Sequence, residues 1–351
     1  MKDLPLNILY VTNMYPAPEH PVDGIFIQEQ IKDISELLPI KHEVFLIDSV
    51  YRGKKEYIKS LFRIPRKIKS GKYDLIHIHY GLSGLFLLLF RPKTKVFLTL
   101  HGSDIQKREK NGWQVWLTKK ILHKADKVFV QNQAMKDLVL PFNPKVEVLT
   151  CGINSDFFKP VNGFKKTPHT KLVVFPSSPS REVKNFPLFT EVLKRANEAS
   201  TCKIEHACVD NLDRDEVRTL LNKADCLLMT SKTEGSPQVI KEALSCNLPV
   251  VSVPVGDVAE ITDGIPNCYV AASHNPTELS DLLVKALVRK PDNIRSSFLS
   301  KTKYNHKSIA QKLASHYSAL HPGNSRVPFA KPEPILMPVN SGESLSQNIK
   351  F

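Results

Sequence analysis

No stretch of this chain is apolar for long enough to cross a bilayer as a helix. The longest run, Leu82 to Phe90, is nine residues, less than half of the roughly 20 that a span requires, so a helical transmembrane protein is excluded. No Cys-x-x-Cys pair occurs. The six cysteines (Cys151, Cys202, Cys208, Cys226, Cys246 and Cys268) are scattered, which argues against a zinc site or a disulfide framework and for reduced thiols of the cytosolic kind. Cys226 and Cys246 lie in apolar patterns where a thiol acts as a small hydrophobe. The absence of G-x-G-x-x-G argues against a dinucleotide dehydrogenase. There is no recognised nucleic-acid motif, no internal repeat and no nucleophile paired with a base. A signal peptide is not expected either, because the apolar LNILYV is short, contains Asn7 and leads straight into a folded pattern.

What is present fits a soluble two-domain protein. A length of 351 residues suits about two domains of roughly 150 to 200 residues, each able to bury its own core. Hydrophobic residues make up 42% and charged ones 24%, an ordinary globular balance. Strand-like runs at 6–12, 43–48, 74–79, 95–100, 127–131 and 146–149 alternate with helical periods. That rhythm predicts a parallel sheet covered on both faces. It breaks over 155–170 and resumes at KLVVFPS, with later strands in KIEHAC, ADCLLMT, LPVVSV and NCYVAA, and helices near 185–198, 213–223, 237–246 and 276–290. The reading is α/β, two Rossmann-like domains with parallel sheets facing a cleft. Ligands of such sheets bind beyond the carboxyl ends of the strands.

The most informative stretch is Glu234-Gly-Ser-Pro-Gln-Val-Ile-Lys-Glu242, followed at once by the strand-like LPVVSV. Ser236 suits a helix cap and Pro237 a first helical position, so free N–H groups would point at an anion. A pyrophosphate fits there. Carboxylates on either side would meet hydroxyls, which is the shape of a nucleotide sugar. Two glutamates alone would also fit a capped, solvated helix. The two glutamates, with seven residues between them, with Thr230-Ser231 before them and EALSCNLPVVSVPVGDVAE after them, resemble the donor-site signature of glycosyltransferase family 4, retaining enzymes of the GT-B fold. The resemblance covers nearly all of residues 6 to 320. It implies that Glu234 contacts donor-sugar hydroxyls, that Glu242 holds the nucleotide ribose, and that Gly235 and Ser236 belong to the donor-binding loop.

Other loops fit the same frame. NMYPAPEHPVDGIF follows the first strand, and Gly24 matches the family's glycine-bearing loop that closes over donor and acceptor. His101-Gly-Ser-Asp104 follows KVFLTL and resembles the family's H-G-x-D element, which implies that His101 lies beside the reacting sugar and Asp104 supports it or the acceptor. A strand-end turn capped by Asp104 is the plain alternative. In PSSPSREVKNFP, Arg181 and Lys184 beside a helix start, with Asn185 as its cap, suit a diphosphate leaving group. The family shows Gly-Arg and then Lys five residues on, whereas serine replaces that glycine here and Arg181 stands only three residues before Lys184. His77 and His79 share a strand face with no further ligand at metal spacing and read as structural or cleft-lining. No metal and no cofactor are expected, the nucleoside diphosphate sugar being a co-substrate whose pyrophosphate Arg181, Lys184 and helix-end N–H groups neutralise.

The formal charge is +14, and residues 51–72 hold nine Lys or Arg against one acid, interleaved with Tyr57, Ile58, Leu61, Phe62, Ile64 and Ile68. Such an amphipathic stretch suits an anionic bilayer, with Pro65 expected to kink it. A solvated helix face is the bland alternative, and no nucleic-acid partner is expected. The expected organisation is an acceptor domain over 1–158, a donor domain over 159–304, a crossover helix over 305–321 and a flexible tail over 322–351. The expected activity is retaining sugar transfer of the hexosyltransferase type to a glycan or lipid-linked acceptor in cell-surface polysaccharide biosynthesis, in the cytoplasm, peripheral at the inner membrane face. A nucleotide-sugar epimerase and a catalytically inactive membrane-associated partner are the alternatives.

Overall fold

Runs of Val, Ile and Leu form the central strands, covered on both faces, while the edge strands IKHEVFL and KIEHAC are interrupted by polar residues and partly exposed; the described residues contain eleven strands in two parallel sheets. A computed structural model describes residues 5–18, 22–107, 111–164, 167–288 and 293–320. The first sheet has order β2-β1-β3-β4-β5-β6, from β1 (Leu6–Thr12), β2 (Ile40–Leu46), β3 (Leu75–His79), β4 (Lys95–Thr99), β5 (Lys127–Val130) and β6 (Val146–Val148). The second has order β11-β10-β9-β7-β8, from β7 (Thr170–Phe175), β8 (Lys203–Cys208), β9 (Cys226–Met229), β10 (Val250–Ser252) and β11 (Tyr269–Val270). The first order reverses at β1 and the second at β7, as in doubly wound sheets.

Helices α1 (Ile25–Leu37), α2 (Ser49–Arg52), α3 (Lys55–Ser70), α4 (Gly112–Leu122) and α5 (Gln133–Val139) belong to the first half. The second half carries α6 (Phe186–Ala199), α7 (Arg214–Lys223), α8 (Gln238–Ser245), α9 (Val258–Thr262), α10 (Pro276–Val288) and α11 (Ile294–Leu299). The last helix, α12 (His306–Ser318), packs with α1 against the first sheet, where Ile309, Leu313 and Tyr317 join Ile8, Ile27 and Ile34 in one core.

The chain therefore crosses between domains twice, and the crossings run side by side. Ile153 donates to the Tyr304 carbonyl (2.8 Å) and accepts from the amide of His306 (3.2 Å). A Cβ at position 152 would lie 2.4 Å from the His306 Cα, so the close approach requires Gly152. The tail expected over 322–351 lies outside the described residues.

Two local expectations are corrected. Ser236 does not cap α8: Pro237 holds the cap position with no side-chain bond, because Ser236 is engaged with Thr150. The basic stretch breaks at Gly53, φ 84°, and α3 runs as one helix through Pro65.

Candidate active site

The carboxyl end of β4 turns sharply into His101-Gly-Ser-Asp104. Asp104 is buried and folds this turn, accepting from the amides of Gly102 (2.9 Å), His101 (3.0 Å) and Gly81 (3.3 Å). Burial raises its pKa and those amide bonds work against the rise. Its carboxylate faces backbone N–H groups, so what it supports is the loop that presents His101.

The His101 ring lies between Tyr80 (centroids 4.4 Å apart) and Phe26 (5.1 Å), and stacks on His79 at 17°. His101 Nε2 shares a hydrogen bond with His79 Nδ1 (3.2 Å). Burial, with the neighbouring His79, pushes the His101 pKa well down. At neutral pH it is a neutral hydrogen-bonding group. Behind it His77 bonds Thr99 (2.8 Å) and the Tyr317 hydroxyl (2.5 Å). The two strand histidines thus form a buried stack that connects α12 to the cleft.

The loop after β9 meets this turn from the other domain. Gly235 packs on Gly102, and a Cβ at 235 would lie 2.7 Å from the His101 carbonyl oxygen. Asn132 donates to the Gly235 carbonyl (2.7 Å), Gln106 to the Glu234 carbonyl (3.0 Å) and Thr150 to the Ser236 hydroxyl (2.9 Å). Glu234 and His101 therefore belong to one interface although they are far apart in sequence. The Glu234 carboxylate accepts from Lys184 Nζ at 2.6 Å with both side chains largely covered.

Arg181 differs from Lys184. It is exposed at the rim and reaches Ser177 Oγ (3.4 Å), while Lys184 is buried. Asn185 starts α6 in a left-handed conformation (φ 57°) with no side-chain cap bond. Gly24 opens α1 at φ 64°, and a Cβ there would lie 2.4 Å from the Met14 carbonyl oxygen. Beside this loop a cavity of about 280 Å³ is lined by Asn13, Tyr15, Asp23, Asp48 and Tyr51.

Glu242, on α8, is buried, and burial raises its pKa to about 7 although Arg214 Nη1, at 3.7 Å, works against the rise. Arg214 also holds Glu29 of α1 at 2.9 Å, so a carboxylate, guanidinium and carboxylate span the two domains. Neither Arg214 nor Glu29 is singled out by the sequence, since Arg214 follows a capping-box Asp213 and reads as a solvated helix start. Lys241 is the larger omission. It is fully buried, and its ammonium donates to Cys151 O (2.8 Å), Thr150 Oγ1 (3.0 Å) and Gln238 Oε1 (3.0 Å). Its three donors are all used, tying α8 to the crossing between domains. Its place inside the Glu234 to Glu242 motif is the one signal that points to it.

The arrangement offers a cation, a helix N-terminus, a neutral imidazole and carboxylates around one cleft, a set suited to holding an anionic leaving group and a polyol.

Comparison with known proteins agrees domain by domain. Residues 27–157 match the model described as Glycosyltransferase Family 4, and residues 165–289 that of Glycosyl transferases group 1. An uncharacterised glycosyltransferase of Methanocaldococcus jannaschii is 25% identical over 255 residues, covering 66% of this chain and 70% of that protein. Bacillus subtilis TuaC, named as a teichuronic acid biosynthesis glycosyltransferase, is 22% identical over 327 residues, covering 73% and 83%. Among solved structures, a sucrose-phosphate synthase of Thermosynechococcus elongatus superposes with TM-score 0.70 at 16% identity, covering 90% of this chain and 99% of that one. Anabaena HepE, solved with UDP-glucose, gives 0.64 at 15%, covering 90% and 100%. With one glycosyltransferase model matching within each half, relatives named as glycosyltransferases, and a GT-B superposition across both, the chain belongs to the GT-B glycosyltransferases of the family 4 and group 1 type.

Proposed function

We propose that this glycosyltransferase is a retaining hexosyltransferase that moves a sugar from a nucleoside diphosphate sugar to a hydroxyl of a glycan or lipid-linked acceptor, in cell-surface polysaccharide synthesis at the cytoplasmic membrane face. The observation that carries the reading is the Lys184 and Glu234 pair (2.6 Å) held against the His101 turn by Gly235. Lys184, with Arg181 at the rim, neutralises the leaving diphosphate without a divalent cation. Glu242 takes the ribose hydroxyls and Glu234 those of the donor sugar. His101, neutral, donates or accepts a hydrogen bond beside the reacting carbon. Gly24 lets the loop after β1 close over donor and acceptor, and the cavity beside that loop takes the acceptor. Among the described residues no three His, Cys, Asp or Glu gather as metal ligands would. HepE's structure with UDP-glucose supports the donor class, and TuaC's name the polysaccharide role.

The basic helix α3 supports the membrane location. Its exposed Ile58 and Phe62 stand among Lys55, Lys59, Arg63 and Arg66, and Tyr57 ties it to the acceptor side by a bond from Asn13 (3.0 Å).

The test is transfer from a panel of nucleotide sugars in excess chelator, with the anomeric configuration of the product read by NMR. Transfer should persist and the configuration be retained. Loss of activity that magnesium or manganese restores would remove the metal-free role of Lys184, and an inverted product would remove the retaining assignment. An altered sugar nucleotide formed without acceptor would mark an epimerase.

A further inference from the structure

A second element extends the face that α3 offers. Helix α4 leaves Trp113 and Trp116 52% and 58% exposed, and Leu89, at the end of the 3-10 helix Gly81–Leu88, is 72% exposed. Both α3 and α4 pack on that 3-10 helix, and Lys54, just before α3, lies over the Trp113 ring at 5.8 Å. Lys120 lies over Trp116 at 5.8 Å. Ile58 and Phe62, one helical turn apart on α3, are likewise more than half exposed. Residues 57–73 and 110–125 contain no Asp or Glu, and Glu56 is turned inward and held by Lys59 (2.6 Å).

We propose that α3 and α4 form one docking face for an anionic lipid bilayer, with Trp113 and Trp116 as its interfacial anchors and the surrounding Lys and Arg as its electrostatic attachment. This rests on the membrane reading of α3 and adds a second helix to it. The charge complementarity selects the occupant: a surface with basic side chains in large excess, whose neighbouring Glu43 and Glu56 are already paired with Lys67 and Lys59, repels a second copy of itself, and exposed indoles that each carry a lysine ammonium over the ring suit the headgroup level of a bilayer, where an aromatic body and a polar edge are both accommodated. Two contact helices fix orientation where one allows rotation about its axis. The acceptor side of the cleft, joined to α3 through Tyr57, then lies next to the lipid.

The chain has two tryptophans, Trp113 and Trp116, so its indole fluorescence reports on this face alone. Vesicles of phosphatidylcholine, with and without phosphatidylglycerol, are added to the full chain while emission and sedimentation are followed. Emission should move to shorter wavelength only with the anionic vesicles. The double variant W113A/W116A should sediment with affinity lower by on the order of 10-fold per tryptophan, yet keep its transfer rate on a soluble acceptor. Neutralising Lys54, Lys55, Lys59, Arg63, Arg66 and Lys67 together should give a variant that no longer sediments with the anionic vesicles. Release by that charge change with unmoved emission and undiminished binding of W113A/W116A would overturn the role of α4 and leave that of α3. A wild type that binds no anionic vesicles would overturn both. A shift that depends on protein concentration without lipid would assign the face to a second copy and overturn the bilayer.

Discussion

Glu242 ionises within the physiological range, which makes its surroundings on α8 pH-dependent. Burial raises its carboxyl from an ordinary 4.5 to about 7. Below about pH 4.5 it is protonated both folded and unfolded, and above about pH 7 it is ionised in both and bears the full desolvation cost, on the order of 3 kcal/mol. Its contribution to stability therefore falls as pH rises through that window, and Glu242→Gln should flatten this part of the stability profile, measured by urea unfolding. Ribose hydroxyls donating to the ionised carboxylate would give nucleoside diphosphate affinity that rises from about pH 6 to about pH 8 in the wild type and not in the variant. Identical profiles would take Glu242 out of the donor site. Lys184→Ala should cost about 1.5 to 3 kcal/mol of nucleoside diphosphate binding with the fold intact by circular dichroism, and His101→Ala should lower kcat by roughly 100-fold with that binding kept. The two glutamates and Lys184 stand out in the sequence because a cation and two carboxylates set by one helix and one turn form the pattern that the proposed polyol diphosphate would need. Lys241 is not, because its burial depends on Thr150 and Cys151 arriving about 90 residues away, and a lysine on an amphipathic helix reads as solvated.

At the scale of elements, periodicity finds strands and helices but not what their ends are bonded to. Ser236 has the composition of a cap, yet tertiary contact with Thr150 moves the start of α8 to Gln238. Gly53, at a φ of 84°, ends a helix, whereas Pro65, which costs roughly 3 kcal/mol in lost bonding and crowding, is carried inside α3 by the packing of Ile64 and Ile68 in the core. The docking of α12 is legible as helical spacing, but not its polar anchor: the Tyr317 hydroxyl meets His77 at 2.5 Å and Tyr10 at 3.2 Å, all three buried. Tyr317→Phe removes the partner of the Tyr10 hydroxyl and of His77 Nδ1, while His77 Nε2 keeps Thr99, and should cost about 1 to 3 kcal/mol, read as a lower urea midpoint at unchanged slope. An unaltered midpoint would mean that apolar packing alone holds the helix.

At the scale of the molecule, the domains meet through side-chain bonds such as Arg214 to Glu29 and through a close backbone approach at Gly235. The Cβ of a Gly235→Ala variant would lie 2.7 Å from the His101 carbonyl oxygen, so this variant should hold the cleft wider, seen as a larger radius of gyration by X-ray scattering, with kcat/KM lowered by roughly 100-fold at preserved secondary structure. Wild-type dimensions and activity would show that the loop yields locally. Two sheets facing a cleft are legible in the alternation of patterns; the cavity by Asn13 and Asp48 is not, because it is shaped by loops from separate strands. The return of α12 also has a bearing on synthesis. Domains usually complete in the order they leave the ribosome, but the first sheet here takes part of its core from Ile309, Leu313 and Tyr317. The amino-terminal half is thus the last to be finished: nascent chains halted before residue 306 should carry a protease-resistant second domain beside a first domain still open to cleavage, and protection of both should arrive together once α12 is made.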